Sequence, residues 1–102
     1  MENNEQKRGQ ISDRIKFKSK ELLGYEIGKI ELRLMAYIQY VMCNEQTIER
    51  SKLHDEEKPI LKKWEVLKFI FIENNYYDIR VTKEFWNIIC EIIYLGYVDL
   101  EK

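Results

Sequence analysis

Apolar residues recur with helical spacing in four segments of the chain, and these segments predict four helices. The first runs from Ser12 to about Leu23. Its apolar stripe is thin, so we expect it to lie on the surface and to be the least stable element. Ser12 can cap its amino end, and Gly24 can end it in a left-handed conformation. Residues 1–10 are polar without periodicity, and we interpret them as a flexible tail that precedes a single helical domain, residues 11–102.

The second predicted helix begins near Ile27 and ends near Ile48, and its apolar surface is wider than a single seam. We therefore expect it to be buried on most sides, by the fold or by a partner. Asn44 is the one polar residue on the seam. It either fixes the register of a paired helix or marks the point where the helix reaches solvent, and we favour the second interpretation. The charged residues 50–58 follow as a helix end and a loop.

A third helix is predicted over about 59–74, because Pro59 fits a first helical turn and apolar residues follow on one face. The paired asparagines 74–75 are expected to stop it. Residues 76–81 form the one segment that is typical of a strand.

Thr82 can cap the last helix, which is apolar on most sides and is therefore expected at the centre of the core. Gly96 is expected to end it. Residues 97–100 can form a short strand, whose natural partner is 77–81. The pattern as a whole predicts an all-α fold, a compact bundle of about four helices with a minor two-stranded β ribbon near the carboxy terminus.

The chain has 102 residues, of which 45% are hydrophobic and 34% are charged, with a net charge of −1 at pH 7. This balance is typical of one folded domain, and it excludes a disordered chain, a membrane protein and a strongly basic nucleic-acid binder. The amino terminus lacks the apolar segment of a signal peptide, so we expect a cytoplasmic protein. Cys43 and Cys90 lie in apolar helical patterns, and we expect both to be buried free thiols.

The sequence offers little of what enzymes and metal centres require. His54 is the single histidine and lies in the charged loop, and the two cysteines have no Cys-x-x-Cys spacing. The four glycines form no phosphate-binding loop. We therefore expect no metal, no cofactor and no enzymatic activity. The alternative, an enzyme that uses Cys43 or Cys90, predicts a thiol that is alkylated quickly in the native protein.

Charge is distributed unevenly along the sequence. Residues 1–20 contain six basic and three acidic side chains, whereas residues 73–102 contain three basic and six acidic ones. The basic segment is either a solvated helix face, which we favour, or a surface that contacts nucleic-acid phosphates. Its candidate nucleic-acid contacts are Lys7, Arg8, Arg14, Lys16, Lys18 and Lys20.

Aromatic residues make up 13% of the chain, which is more than the core of so small a domain needs. Tyr and Trp anchor protein interfaces because they bury a large area and keep a polar tip in water. We therefore expect a protein partner and a homodimer. The candidate interface residues, each of which is alternatively a core residue, are Trp64, Tyr76, Tyr77, Trp86, Tyr94 and Tyr97.

The order of elements over 59–102, with Leu-Gly-Tyr at the end of the last helix, resembles that of winged-helix DNA-binding domains. The resemblance covers less than half of the chain. Winged helices also need a recognition helix after a tight turn and a basic hairpin, whereas the last helix here is too apolar to lie in a DNA groove. The sequence therefore assigns no family.

Two hypotheses about function follow. The leading one is a small, non-enzymatic, cytoplasmic protein that binds another protein as an accessory regulator or inhibitor. The chain is rich in Ile, Lys, Asn and Tyr, which have AT-rich codons. This composition is typical of a low-GC bacterium, a phage or another mobile element. The alternative is a dimeric DNA-binding transcriptional regulator that uses the basic amino-terminal segment.

Overall fold

The computed structural model describes residues 7–44, 48, 53–73 and 78–100. Within these ranges the chain folds into four α-helices, a two-stranded antiparallel sheet and a five-residue π-helical turn. The helices are α1 (Asp13–Leu23), α2 (Lys29–Asn44), α3 (Lys58–Val66) and α4 (Lys83–Ile93), the strands are β1 (Ile70–Glu73) and β2 (Asp78–Val81), and the π-turn is Tyr94–Val98. None of the described helices combines the length and the apolar character that crossing a bilayer requires.

Both predicted caps of α1 are confirmed. The Ser12 hydroxyl accepts a hydrogen bond from the Ile15 backbone N–H at 3.2 Å. Gly24 adopts a left-handed conformation with φ 87°, and its N–H donates to the Lys20 carbonyl. The helix is also tied to the loop that follows it, because the buried Ser19 hydroxyl accepts from the Ile27 N–H at 3.1 Å.

The core lies between α2 and α4, and residues of α1, α3 and the sheet close it. Helix α2 supplies Leu32, Leu34, Met35, Ile38 and Val41. It ends at Asn44, whose exposed side chain donates to the Tyr40 carbonyl at 2.7 Å. Asn44 is therefore exposed in the single chain, as the favoured interpretation expects.

Helix α4 has the burial that its sequence predicts. Thr82 caps it by accepting a hydrogen bond from the Phe85 N–H at 3.2 Å. Phe85, Ile89 and Ile92 are fully buried. The Phe85 ring meets the edge of Trp64 at a centroid distance of 5.0 Å, and α4 packs against α1, α2 and the π-turn. The polar stripe of Glu84, Asn87 and Glu91 is exposed.

The predicted extent of the third helix was wrong. Helix α3 ends at Val66, and Lys68 turns the chain sharply with a φ of 63°. The chain then enters β1, in which Ile70 is buried and Phe71 is exposed. The run of β-branched and aromatic residues over 69–72 is compatible with a helix or a strand, and pairing with β2 decides for the strand.

The predicted partner of the second strand was also wrong. Strand β2 pairs with β1 in the register Ile70↔Val81 to Glu73↔Asp78, rather than with residues 97–100. The local hairpin closes a much shorter loop, which costs less conformational entropy than pairing across α4. The ribbon therefore precedes α4. Gly96 does not end α4 but is buried inside the π-turn, where an added Cβ would lie 3.2 Å from Leu32 Cδ2.

Candidate functional site

Apart from Tyr40 on α2, the exposed aromatic and aliphatic side chains of the described surface occur in two regions. One lies at the end of α3 and on β1, where Val66, Leu67 and Phe71 are exposed. The other lies where α1 passes the carboxy-terminal end of α4. Phe17 of α1 is 70% exposed there, and Tyr94 of the π-turn is 54% exposed. Single exposed apolar residues are ordinary, but neighbouring ones in a groove indicate a binding surface.

The second region forms a continuous surface, which we name the α1–α4 face. It consists of Phe17, Lys18, Glu91, Tyr94 and Leu95. Phe17, Lys18 and Leu95 line one shallow cavity of about 370 Å³. Lys18, Glu91, Tyr94 and Leu95 line the next, of about 480 Å³. Because the two cavities share Lys18 and Leu95, they adjoin each other, and we refer to the pair as the groove between α1 and α4.

The backbone under the α1–α4 face is held at several points. Arg14 donates to the Asp99 carboxylate at 3.1 Å and also to the Asp99 carbonyl. Ile15 is fully buried beside Gly96. The Gly9 N–H donates to the Gly96 carbonyl at 2.9 Å, so this part of the predicted tail lies against the π-turn. The face is therefore presented by a fixed scaffold, which lowers the entropy cost of binding.

The structure places the six aromatic candidates differently. Trp64 is fully buried, and its indole N–H donates to Glu31 at 2.9 Å, so it is a core residue. Trp86 and Tyr97 are half-buried, and Tyr94 lies on the α1–α4 face. Tyr76 and Tyr77 lie outside the described residues.

Phe17 and Leu95 were not among the candidates that the sequence supplied. The available signal was the position of Phe17 on α1, off the stripe that contains Ile15 and Leu22. A large aromatic residue on the polar side of a surface helix is a sign of a contact with another molecule. Leu95 gives no such signal, because its exposure depends on how α4 unwinds into the π-turn.

The basic candidates are divided by their partners. Arg14 is bound to Asp99, and Lys18 lies 3.2 Å from Glu21. Lys7, Arg8, Lys16 and Lys20 are exposed. Lys16 and Lys20 line a cavity beside Phe17 whose wall also contains the acidic side chains of Asp13, Glu21 and Glu26. The mixed charge of this wall disfavours a phosphate backbone, because acidic side chains repel it.

A buried polar cluster lies on the amino-terminal part of α2. Glu31 is 5% exposed, and its carboxylate accepts hydrogen bonds from Tyr25 at 2.6 Å, Trp64 at 2.9 Å and Lys63 at 3.2 Å. The Lys63 ammonium also lies 4.0 Å from the centre of the Tyr25 ring. We name these four residues the Glu31 cluster.

The electrostatics of the Glu31 cluster fit a structural role. Burial, together with the hydrogen bond to Glu31, raises the pKa of Tyr25 well above its usual range. The tyrosine therefore stays a neutral donor to the carboxylate. Since the donors come from the loop before α2 and from α3, the cluster fastens α3 to the start of α2.

Cysteine and histidine chemistry is not assembled anywhere in the described ranges. Cys43 is exposed, so the prediction that both thiols are buried was wrong for it, because it lies on the solvent side of α2 near its end. Cys90 is half-buried, with its sulfur accepting from the Gln39 amide at 3.7 Å. His54 is exposed. No group of three His, Cys, Asp or Glu that suits a metal ion occurs among the described residues.

Comparison of the chain with protein-family models, with curated proteins and with solved structures finds no match. The arrangement of the residues themselves therefore carries the functional argument, and the α1–α4 face is the site that it singles out.

Proposed function

We propose that this chain is a non-enzymatic, cytoplasmic regulator or inhibitor that acts by binding another protein through the α1–α4 face. The observation that carries the proposal is the pair of adjoining cavities that share Lys18 and Leu95, one lined by the exposed Phe17 and the other by the exposed Tyr94. Covering such side chains contributes roughly 25 cal/mol for each Å² of apolar area removed from water. Aromatic residues at the centre of a contact supply most of its binding energy.

The charged residues at the edge of the groove favour a protein partner over a purely apolar small molecule. Lys18 and Glu91 stand beside the apolar seam and carry opposite charges. A protein partner offers backbone and side-chain groups that can pair with both charges while its apolar residues cover Phe17. A stable contact needs about 800 Å² on each partner, so the α1–α4 face is expected to be the centre of a larger interface.

The test is affinity capture from a lysate of the source organism with the full chain and two variants. Phe17→Glu places a charge in the centre of the face. Phe71→Glu is the control, because Phe71 is also an exposed phenylalanine and lies on β1, away from the α1–α4 face. We expect a protein that is retained by the wild type and by Phe71→Glu, lost from Phe17→Glu, and unaffected by nuclease treatment.

Two results would contradict the proposal. Retention of the same protein by Phe17→Glu would show that the α1–α4 face is not the contact. Loss from both variants would show that the binding depends on general surface properties instead. Circular dichroism of each variant establishes that it is folded before capture is compared.

The second candidate function is nucleic-acid binding by the basic amino-terminal segment. It is favoured by the exposure of Lys7, Arg8, Lys16 and Lys20. It predicts an affinity that falls steeply with salt, and that falls further when Lys16 and Lys20 are changed to Glu. Fluorescence anisotropy with a labelled DNA duplex measures this. Binding that is absent or insensitive to salt excludes it.

A further inference from the structure

We propose that a second copy of this chain binds to the α1–α4 face, with α1 of each copy against α4 of the other across a two-fold axis. The inference rests on the proposed function, because it assigns a resting occupant to the same face: the second copy covers the face until a target protein displaces it. Phe17, Tyr94 and Leu95 form the apolar seam of the face, and charged residues lie on either side of it. Across a two-fold axis, the apolar residues of one copy meet those of the other, and opposite charges meet as well.

The apolar seam is complementary to itself. Phe17 projects from α1, and Tyr94 and Leu95 lie across the groove at the end of α4. In a two-fold arrangement, Phe17 of one copy lies against Tyr94 and Leu95 of the second copy, and the same contact is made again in the opposite direction. Each copy thus covers Phe17 and Tyr94 of the other.

The charges on the two walls of the groove are also complementary to each other. The α1 wall carries Lys18, whose ammonium also lies 3.2 Å from Glu21 of the same helix. The α4 wall carries Glu91, which continues the exposed polar stripe of α4 towards Glu84. When α1 faces α4 of the second copy, Lys18 of each copy lies against Glu91 of the other, so that two pairs of opposite charge form. Such complementarity fixes the orientation of two chains and suppresses other pairings.

The same charges argue against a nucleic acid as the occupant. Phosphates would gain from Lys18 but would be repelled by Glu91 across the groove, and by Asp13 next to Phe17. A second copy is the one partner whose matching apolar and charged positions are already defined by this structure.

Exchanging the two charges tests the proposal. Lys18→Glu alone and Glu91→Lys alone each place like charges together at both symmetric contacts, so each variant is expected to dimerise about tenfold more weakly. In an equimolar mixture of the two variants, a dimer that contains one of each has opposite charges at both contacts. We therefore expect the mixture to recover the dimer that each variant has lost.

The measurement is analytical ultracentrifugation of the purified chain over a range of concentrations. The wild type is expected to reach twice its monomer mass of 12.5 kDa. Two matched controls are expected to behave like the wild type. Lys62→Glu makes the same charge change on the exposed surface of α3, and Glu21→Gln removes the internal ion pair of Lys18 without changing its charge.

Three results would overturn the dimer. They are a wild type that stays monomeric at every concentration, charge variants that dimerise like Lys62→Glu, and a mixture that fails to recover the dimer. The proposed function is tested separately, by the capture experiment with Phe17→Glu. A monomeric wild type that still captures a protein through Phe17 would overturn the dimer alone, whereas capture that ignores Phe17 would overturn the function.

Discussion

The Glu31 cluster and the α1–α4 face depart from the usual distribution of polar and apolar groups in opposite ways. In the cluster a carboxylate is buried, and in the face a phenylalanine is exposed. Glu31 receives three hydrogen bonds from its own chain, so its burial is compensated within the fold. Phe17 has no comparable cover. The comparison teaches that an unusual position points to a binding site only when the chain's own residues neither pair with the side chain nor cover it.

The largest expected effect on stability comes from removing the buried carboxylate of the Glu31 cluster. Glu31→Ala leaves the Trp64 indole and the Lys63 ammonium without their acceptor, so we expect a loss of about 3 kcal/mol in the free energy of unfolding. Urea denaturation measures this. Glu31→Gln keeps an acceptor and is expected to lose less, which preserves the test if the alanine variant does not fold.

The control for this prediction is Glu91→Ala, since Glu91 is exposed on α4. Its free energy of unfolding is expected to stay within about 0.5 kcal/mol of the wild type. Equal losses at positions 31 and 91 would show that burial of the carboxylate is not what makes the cluster important.

The next effect concerns alkaline pH. The raised pKa of Tyr25 means that the folded protein keeps the phenol proton where the unfolded chain has lost it. This contribution to stability is complete below about pH 10 and is lost as the pH rises above that value. We expect the stability difference between the wild type and Tyr25→Phe to shrink from pH 9 to pH 11, measured by urea denaturation. A difference that is constant over this range would contradict the assignment.

The smallest effect on stability is expected at Phe17. Phe17→Ser removes an exposed ring, so the free energy of unfolding should change by no more than about 0.5 kcal/mol. Binding is nevertheless expected to be lost, because the ring is covered only in the complex. Thermal unfolding at a concentration at which the wild type is monomeric measures the stability, and sedimentation at higher concentration measures the binding. A large loss of stability would place Phe17 with the core residues and end the contrast with Glu31.

Local signals in the sequence were sufficient for the caps of α1 and for the start of α4, but not for the end of α3. Ser12, Gly24 and Thr82 act through atoms within four residues of themselves, so their roles as caps follow from position alone. The polar stripe of α4 is equally local. The described residues contain the four predicted helices and a two-stranded ribbon, but the ribbon pairs β2 with β1 instead of with residues 97–100.

The remaining features depend on contacts that no local pattern records. The apolar residues over 69–72 are compatible with a helix or with a strand, and pairing with β2 makes this segment a strand. Glu31 and Trp64 are 33 residues apart, so nothing in the sequence links their side chains. Phe17 becomes a candidate only when Leu95 and Tyr94 are seen beside it. The site was harder to predict than the fold because its residues meet only in three dimensions.

The ion pair between Arg14 and Asp99 has a consequence for when the binding surface exists. These residues are 85 positions apart. The residues of the α1–α4 face come from the same two distant segments of the chain, since Phe17 and Lys18 follow Arg14 and residues 91–95 precede Asp99. During synthesis on the ribosome, α1 emerges long before α4, and Phe17 then has no groove beside it. The surface forms only after residues 91–99 have emerged and packed. Until then, a nascent chain presents Phe17 without the residues that complete the α1–α4 face.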